Sequence, residues 1–339
     1  MEIVTSLIDL IDQEACQRYI RYLRWKDRSL ECPCCHSRDI APWGKYHRKP
    51  GLLRYRCKSE GRTFNDLTGT LLDGSRLSVA VWIVLAFLLT LATSSLRIAT
   101  ELYIAFPTAY RLCGWLRNIA LRKEDKRILD GTIEADEIYQ AAGSKGQQSL
   151  KGGIKDLGRQ PRTRGLRKGP GRGHADKDTP CIIGWVSRTG QAVLTVVKDF
   201  TSATVQQAAQ TVLQAGAHVF TDSAKSYKVL SSIGFHHESV NHSKGEWIRD
   251  DVHENRAEML WSLLKFYMWV FRGVSKALLP GYVGFFQFLF NHRSQTAFQK
   301  AELLLVAALD PEQTQYAQLG LFAPLSTKTE LPKILLHAA

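Results

Sequence analysis

The chain has 339 residues, 45% of them hydrophobic and 23% charged, which is too apolar for a disordered chain and long enough for about two domains plus a small module. Lysine and arginine number 45 against 32 acidic residues, a net charge of +13, so the expected partner is a polyanion, either nucleic acid or an anionic membrane surface. Seven unevenly spread cysteines and an acidic start, MEIVTSLIDLIDQEA, exclude a secreted disulfide scaffold and point to a reducing compartment.

In chain order, residues 1–24 read as an N-terminal helix, and residues 25–70 hold a cysteine cluster. Cys32 and Cys35 form a C-x-x-C, and Cys57 follows with Glu60 three positions later. A zinc ribbon needs two such knuckles to supply four tetrahedral ligands, and here Glu60 stands where the last cysteine belongs. Three thiolates and a carboxylate can hold Zn²⁺; Cys34, His36 or His47 are alternative fourth ligands, and a knuckle that no longer binds metal is the opposing reading. Cys16, Cys113 and Cys181 sit in apolar contexts and read as core residues.

Residues 71–127 read as helical. Leu77 to Leu96 carry no charge, but the fully apolar run, Val79 to Leu89, is only eleven residues. That length suits a buried core helix rather than a membrane span. Two short helices then break at Phe106-Pro107, with Pro107 in the first turn of the second, where its missing N–H costs least. Arg111 and Arg117 lie on that second helix, which makes the pair a candidate helix-turn-helix with both arginines offered to DNA.

From residue 128 to 300 the pattern is mixed α/β. TIEADEIY reads as a strand, CIIGWVSRTGQAVLTVV as a hairpin, ATVQQAAQTVLQAG as a helix ending at Gly216, HVFTD as a strand, residues 223–232 as a helix and FHHESVNH as a further extended segment. NRAEMLWSLLKFYMWVF is a helix, and GYVGFFQFLFNHR a final helix covering the sheet. Trp261, Trp269, Phe271, Phe285, Phe286 and Phe288 fall at helical spacing and read as core. Inserted at residues 140–178 is a stretch with ten Lys/Arg, three acids and nine glycines. It cannot form a long helix or a packed strand, and reads as a basic loop that clamps a polyanion through Arg159, Arg162, Arg164, Arg167 and Lys168, with a solvated linker as the plainer alternative. Residues 301–339 read as a C-terminal tail.

The carboxylates carry the sharper signal. Asp136 lies in the first strand of this region, on the face opposite Glu137; Asp222 ends the strand HVFTD; Glu258 lies on the long helix, with Lys265 two turns further on the same side. Glu134 shares the face of Asp136 and is the residue most easily confused with it.

With these residues in place the chain resembles the bacterial insertion-sequence transposases of the DDE superfamily that carry an N-terminal zinc ribbon. The resemblance rests on CPCC, YRCKSEGRTFNDLTGT, IEADEIY, TDSAKSY, VNHSKGEW, HENRAEMLWSLLK and FNHR, in that order, between about residues 32 and 293. It implies an RNase H-like α/β fold, a mixed sheet flanked by helices. It also implies that Asp136 and Asp222 are metal ligands with Glu258 as the third, or Asn255, one helical turn earlier, in its place. Mg²⁺-dependent DNA cleavage and strand transfer would follow, with Mn²⁺ able to substitute. Two ions about 3.5–4 Å apart activate the attacking oxygen and stabilise the leaving one, and three acids gathered without metal would repel one another. Lys265 would contact a phosphate, and His253 would orient a phosphate or water. The implied partners are the terminal inverted repeats and target DNA, bound by a homo-oligomer in the bacterial cytoplasm at the nucleoid, with no membrane. The alternative function is an inactive or repurposed transposase that binds DNA without cutting it. The chain departs from the family pattern in Glu60 and in the length of the basic insert.

Overall fold

A computed structural model of the chain describes residues 11–26, 28–46, 49–124, 126–142, 178–240 and 255–318. Two compact units are present, one formed by residues up to Lys123 together with those from His292, the other by Glu124–Asn291.

In the first unit, helix α1 (Gln13–Trp25) starts at Asp12, whose side chain accepts the Glu14 and Ala15 amides, two of the donors a helix start leaves unpaired. Its inner face, Cys16, Ile20 and Leu23, repeats at helical spacing. Strands β1 (Ile40–Lys45), β2 (Leu53–Cys57) and β3 (Thr63–Asn65) form an antiparallel ribbon in that order, around a small core of Cys32, Tyr55, Cys57 and Phe64. Asp66, fully buried, ties α1 to the ribbon. It accepts from Arg21 Nε at 2.9 Å, Trp25 Nε1 at 3.0 Å and Tyr55 Oη at 3.0 Å. A buried carboxylate is tolerated where it is paired and hydrogen-bonded in this way.

Helix α2 (Val79–Thr90) is apolar on every side and largely buried, and among the described residues no helix is long and apolar enough to cross a membrane. Helices α3 (Ser95–Glu101) and α4 (Phe106–Glu124) follow, with Pro107 in the first turn of α4. Within the stretch read as a tail, the described residues 301–318 are mostly helical: α9 (Ala297–Ala308) packs on α2 and α1, and α10 (Pro311–Gln318) follows it. Two local features account for this. Thr296 and Gln299 form a reciprocal capping box, and Ala301, Leu304, Leu305 and Ala308 make a buried stripe.

The second unit is built on a five-stranded sheet in the order β6-β5-β4-β7-β8. Its strands are β4 (Thr132–Tyr139), β5 (Cys181–Ser187), β6 (Ala192–Val197), β7 (His218–Asp222) and β8 (His236–Val240). β4, β5 and β6 form an antiparallel meander; β7 pairs parallel to β4, and β8 parallel to β7. This mixed α/β arrangement is RNase H-like. One sheet face, with Ile133, Ala135, Trp185 and Val219, buries against Val205, Ala209 and Val212 of α5 (Ser202–Val212) and against Leu230 of the short α6 (Val229–Ser232). The other face receives α7 (Asn255–Val270) and α8 (Leu279–Asn291). α8 also closes the β6 edge. Gln287 Oε1 accepts the Leu194 amide, and Asn291 accepts from and donates to the Ala192 backbone, removing open ladder positions that would otherwise invite foreign strands.

Candidate active site and cysteine cluster

The β4–β7 ladder sets the carboxylate geometry. Glu134 pairs with Phe220 and Ala135 with Thr221, so the next pair along the two parallel strands is Asp136 and Asp222, at one level and on one face. Asp222 Oδ1 is also bonded to the Ala224 amide at 2.9 Å, shaping the turn after β7. The face carrying Asp136 meets α7, where Trp261 Nε1 donates to Asp136 Oδ2 at 2.8 Å. Glu258 lies in the first turn of α7 and is exposed, as is Lys265.

Asp136 feels the other two acids. The Asp136 carboxyl is held above the ordinary carboxylate range, chiefly by burial, with the charges of Asp222 and Glu258 adding to the shift. The Glu137 amide and the Trp261 indole oppose it by donating to the ionised form. Tyr227, fully buried on the other side of the sheet, is raised well above its usual value by burial and then by Glu137, Asp136 and Asp222.

Among the described residues, the sets of three potential ligand atoms mutually within 4.8 Å all lie in the cysteine cluster, so the three carboxylates are more widely spaced than that. One ion gripped by all three would demand closer oxygens. Asp136, Asp222 and Glu258 would therefore hold divalent cations as an open site rather than as one closed grip. The donor set, hard and anionic, fits Mg²⁺ or Mn²⁺.

Glu134, although on the same face, is committed elsewhere. It is fully buried, its Oε2 accepts the Arg256 amide at 2.8 Å, and Arg188 and Arg256 lie 3.8 and 4.0 Å from Oε1. A carboxylate on the first turn of a helix satisfies an orphan amide and complements the helix dipole. Glu134 therefore anchors the start of the helix that bears Glu258.

Asn255 opens α7 three residues before Glu258. His253 and the basic-insert residues Arg159, Arg162, Arg164, Arg167 and Lys168 lie outside the described residues. Arg111 is exposed, with its guanidinium 5.4 Å from the Trp115 ring. Arg117, expected to face DNA, is instead only 2% exposed; it lies one residue beyond Leu116 on the buried side of α4. Trp269, expected in the core, is 80% exposed, because the inward side of α7 runs through Ala257, Leu260, Trp261, Leu264 and Met268. Reading from sequence also missed Trp261 as a partner of Asp136. A signal was present: Gly184 interrupts an apolar strand, which often marks a close approach.

The cysteine cluster consists of two matching turns. Cys32 and Cys57 each accept on the carbonyl from the residue four positions on, His36 and Gly61, and each donates its amide to the residue five positions on, Ser37 and Arg62. His36 and Gly61 both take positive φ, 56° and 73°. In this correspondence Glu60 stands where Cys35 stands. The sulfurs of Cys32, Cys35 and Cys57 lie mutually within 4.8 Å, with Cys35 and Cys57 3.6 Å apart. Glu60 comes within the same range of Cys32 and Cys34. The Cys57 thiol is drawn below its usual range, first by the Glu60 amide, while its neighbour Cys35, hydrogen-bonded to it, is pushed up to about 11. Cys16, Cys113 and Cys181 are buried, as expected of core residues.

Comparison with known proteins places the chain within a family. Residues 128–291 match the ISXO2-like transposase domain. The chain is 30% identical over 281 residues, covering 82% of itself and 90% of the relative, to an uncharacterized protein in transposable element ISH50 of Halobacterium salinarum. Among solved structures, a pre-cleavage Mos1 transpososome aligns at 12% identity and a TM-score of 0.24, over 70% of this chain and 76% of that one. A Mos1 strand transfer complex aligns at 12% identity and a TM-score of 0.25, over 74% and 79%. The domain match and the near full-length relative together make the chain a member of the insertion-sequence transposases with an ISXO2-like transposase domain.

Proposed function

We propose that the protein cleaves DNA at the ends of its insertion sequence and joins the freed 3′ ends to target DNA, in a reaction that depends on Mg²⁺. Asp136, Asp222 and Glu258 hold the ions, with Asn255 the alternative to Glu258 as third ligand. The observation that supports this most is the approach of Asp136, within β4, and Asp222, at the end of β7, one ladder step beyond paired residues, with a helix-borne glutamate whose charge reaches Asp136. When bound, the ions supply an activated oxygen nucleophile and a stabilised leaving oxyanion. The chain's own residues fix that geometry: the parallel ladder sets the spacing of the two aspartates, and Glu134 holds the start of α7 so that Glu258 faces them. Lys265, exposed two turns beyond Glu258, binds a DNA phosphate beside the site.

The net charge of +13 serves DNA, through the basic insert with Arg159, Arg162, Arg164, Arg167 and Lys168 and through Arg111 on α4. One Zn²⁺ sits on Cys32, Cys35 and Cys57, with Glu60 as fourth ligand, and stabilises the ribbon. The protein acts as a homo-oligomer on terminal repeats and target DNA, in the bacterial cytoplasm at the nucleoid.

Asp136→Asn and Asp222→Asn test the proposal. Each is expected to abolish Mg²⁺-dependent cleavage and joining of element-end DNA while leaving its binding intact. Cleavage by either variant at the wild-type rate would defeat the reading. Binding of ends with no cleavage by the wild type itself would leave the DNA-binding alternative.

A further inference from the structure

Asp136 is packed against an aromatic ring that the metal-binding reading does not require. Trp261 lies three residues after Glu258 on α7. It is 5% exposed and donates its indole N–H to Asp136 Oδ2 at 2.8 Å. Across the sheet, Asp136 pairs with Gly184 of β5. A Cβ on Gly184 would stand 2.6 Å from Trp261 Cη2 and 2.8 Å from Cζ2, closer than two carbons can approach. Only glycine leaves room for the indole, and a glycine inside a buried strand otherwise weakens it.

We propose that Trp261, seated in the notch at Gly184, is the positioning residue of the Asp136 carboxylate and sets its aim toward a divalent ion; this rests on the reading of Asp136 as a metal ligand. The chemistry suits the task. An indole N–H is a donor only, and it stays neutral. It orients the carboxylate without the positive charge that a lysine or arginine would bring into competition with the cation. Outer partners of this kind commonly hold metal-ligating groups in place. Because Trp261 and Glu258 are three residues apart on one helix, they are neighbours on its surface. The same turn of α7 thus presents one acid and steadies another.

The test uses the full-length protein with Mn²⁺ as probe and no DNA. Trp261→Phe keeps an aromatic ring but removes the donor; Gly184→Ala keeps the donor but fills the notch. Each is expected to weaken Mn²⁺ binding by about tenfold or more. Each should also raise the Mg²⁺ concentration for half-maximal cleavage by more than it lowers the rate at saturating Mg²⁺. In wild-type protein, the indole N–H resonance missing from W261F should move as Mg²⁺ is added, a readout that needs neither activity nor a stable variant beyond its assignment. Should W261F not fold, Gly184→Ala carries the test. Wild-type Mn²⁺ affinity in either folded variant, or indole resonances all indifferent to Mg²⁺, would overturn the proposal. Asp136→Asn separates the two layers: Mn²⁺ affinity unchanged in that variant removes the metal assignment itself, whereas affinity lost there but kept in W261F removes only the role of Trp261.

Discussion

The cysteine cluster and the carboxylate face solve opposite problems. The cysteines come from two short turns of matching geometry, and their sulfurs stand mutually within 4.8 Å. Neutral thiols can gather in this way at little cost. The acids come from two strands and a helix far apart in sequence, and Asp136 is raised by burial and by the charges of its neighbours. Charged groups brought together in this way resist assembly, so the scaffold must hold them. Here a sheet ladder, the Trp261 indole and the Glu134 anchor do so. A closed soft-ligand site can be specified locally, whereas an open hard-ligand site has to be specified by the fold.

If that contrast is right, losing metal should damage the two regions differently, and most severely at the ribbon. Its core is four residues, Cys32, Tyr55, Cys57 and Phe64, too little to hold three strands alone. Cys57→Ser, or a strong chelator, is expected to release one zinc per chain and to unfold the ribbon while the five-stranded sheet persists. Metal content and amide exchange resolved by region would measure this. Glu60→Cys should act in the opposite sense and tighten zinc binding, because it restores the symmetry of the two turns with a softer ligand. A ribbon equally protected from exchange with and without zinc would erase the contrast.

At the carboxylate face the effect of removing charge should have the other sign. Asp136 has its carboxyl raised in the fold, so its stabilising contribution is complete below the ordinary carboxylate value of 3.8 and is lost as pH rises through the raised value. At neutral pH without metal, that contribution is reduced or gone, and Asp136 weighs against the fold relative to a neutral side chain. Asp136→Asn is expected to melt higher than wild type in chelator at pH 7, by about 2–4 °C for each kcal/mol recovered. The difference should shrink toward pH 4, and Mg²⁺ should raise the melting temperature of the wild type only. A variant that melts below wild type in chelator would show that the acids are not under mutual strain.

The same contrast explains what the sequence made legible. TIEADEIY and HVFTD coincide with β4 and β7 because alternation and β-branched content act locally. The α2 core helix was legible from its short apolar run for the same reason. The pairing of Asp136 with Asp222 depends on which strands lie side by side, and neither segment encodes that by itself. Glu134 and Asp136 look equivalent in IEADE, two residues apart on one face. Only the arrival of the α7 amide and of Arg188 and Arg256 separates an anchor from a candidate ligand. Arg117 and Trp269 misled for a related reason: residue type suggested a surface for one and a core for the other, whereas the rotation of each helix decides which side is buried.

The smallest predicted effect sharpens the distinction between ligand and anchor. Glu134→Gln keeps size and one acceptor for the Arg256 amide but removes the charge facing Arg188 and Arg256. Because Arg188 and Arg256 are partly exposed, water screens much of that attraction, and the loss should be about 1 kcal/mol, in the range of a helix-start carboxylate. Cleavage at saturating Mg²⁺ should persist, with a modest rise in the Mg²⁺ needed for half-maximal rate as the start of α7, and Glu258 with it, loosens. Denaturant melts and a Mg²⁺ titration on the same preparation would check both. If Glu134→Gln instead abolished cleavage as completely as Asp136→Asn, Glu134 would belong among the ligands, and the anchor of α7 would have to be sought in Arg188 and Arg256 themselves.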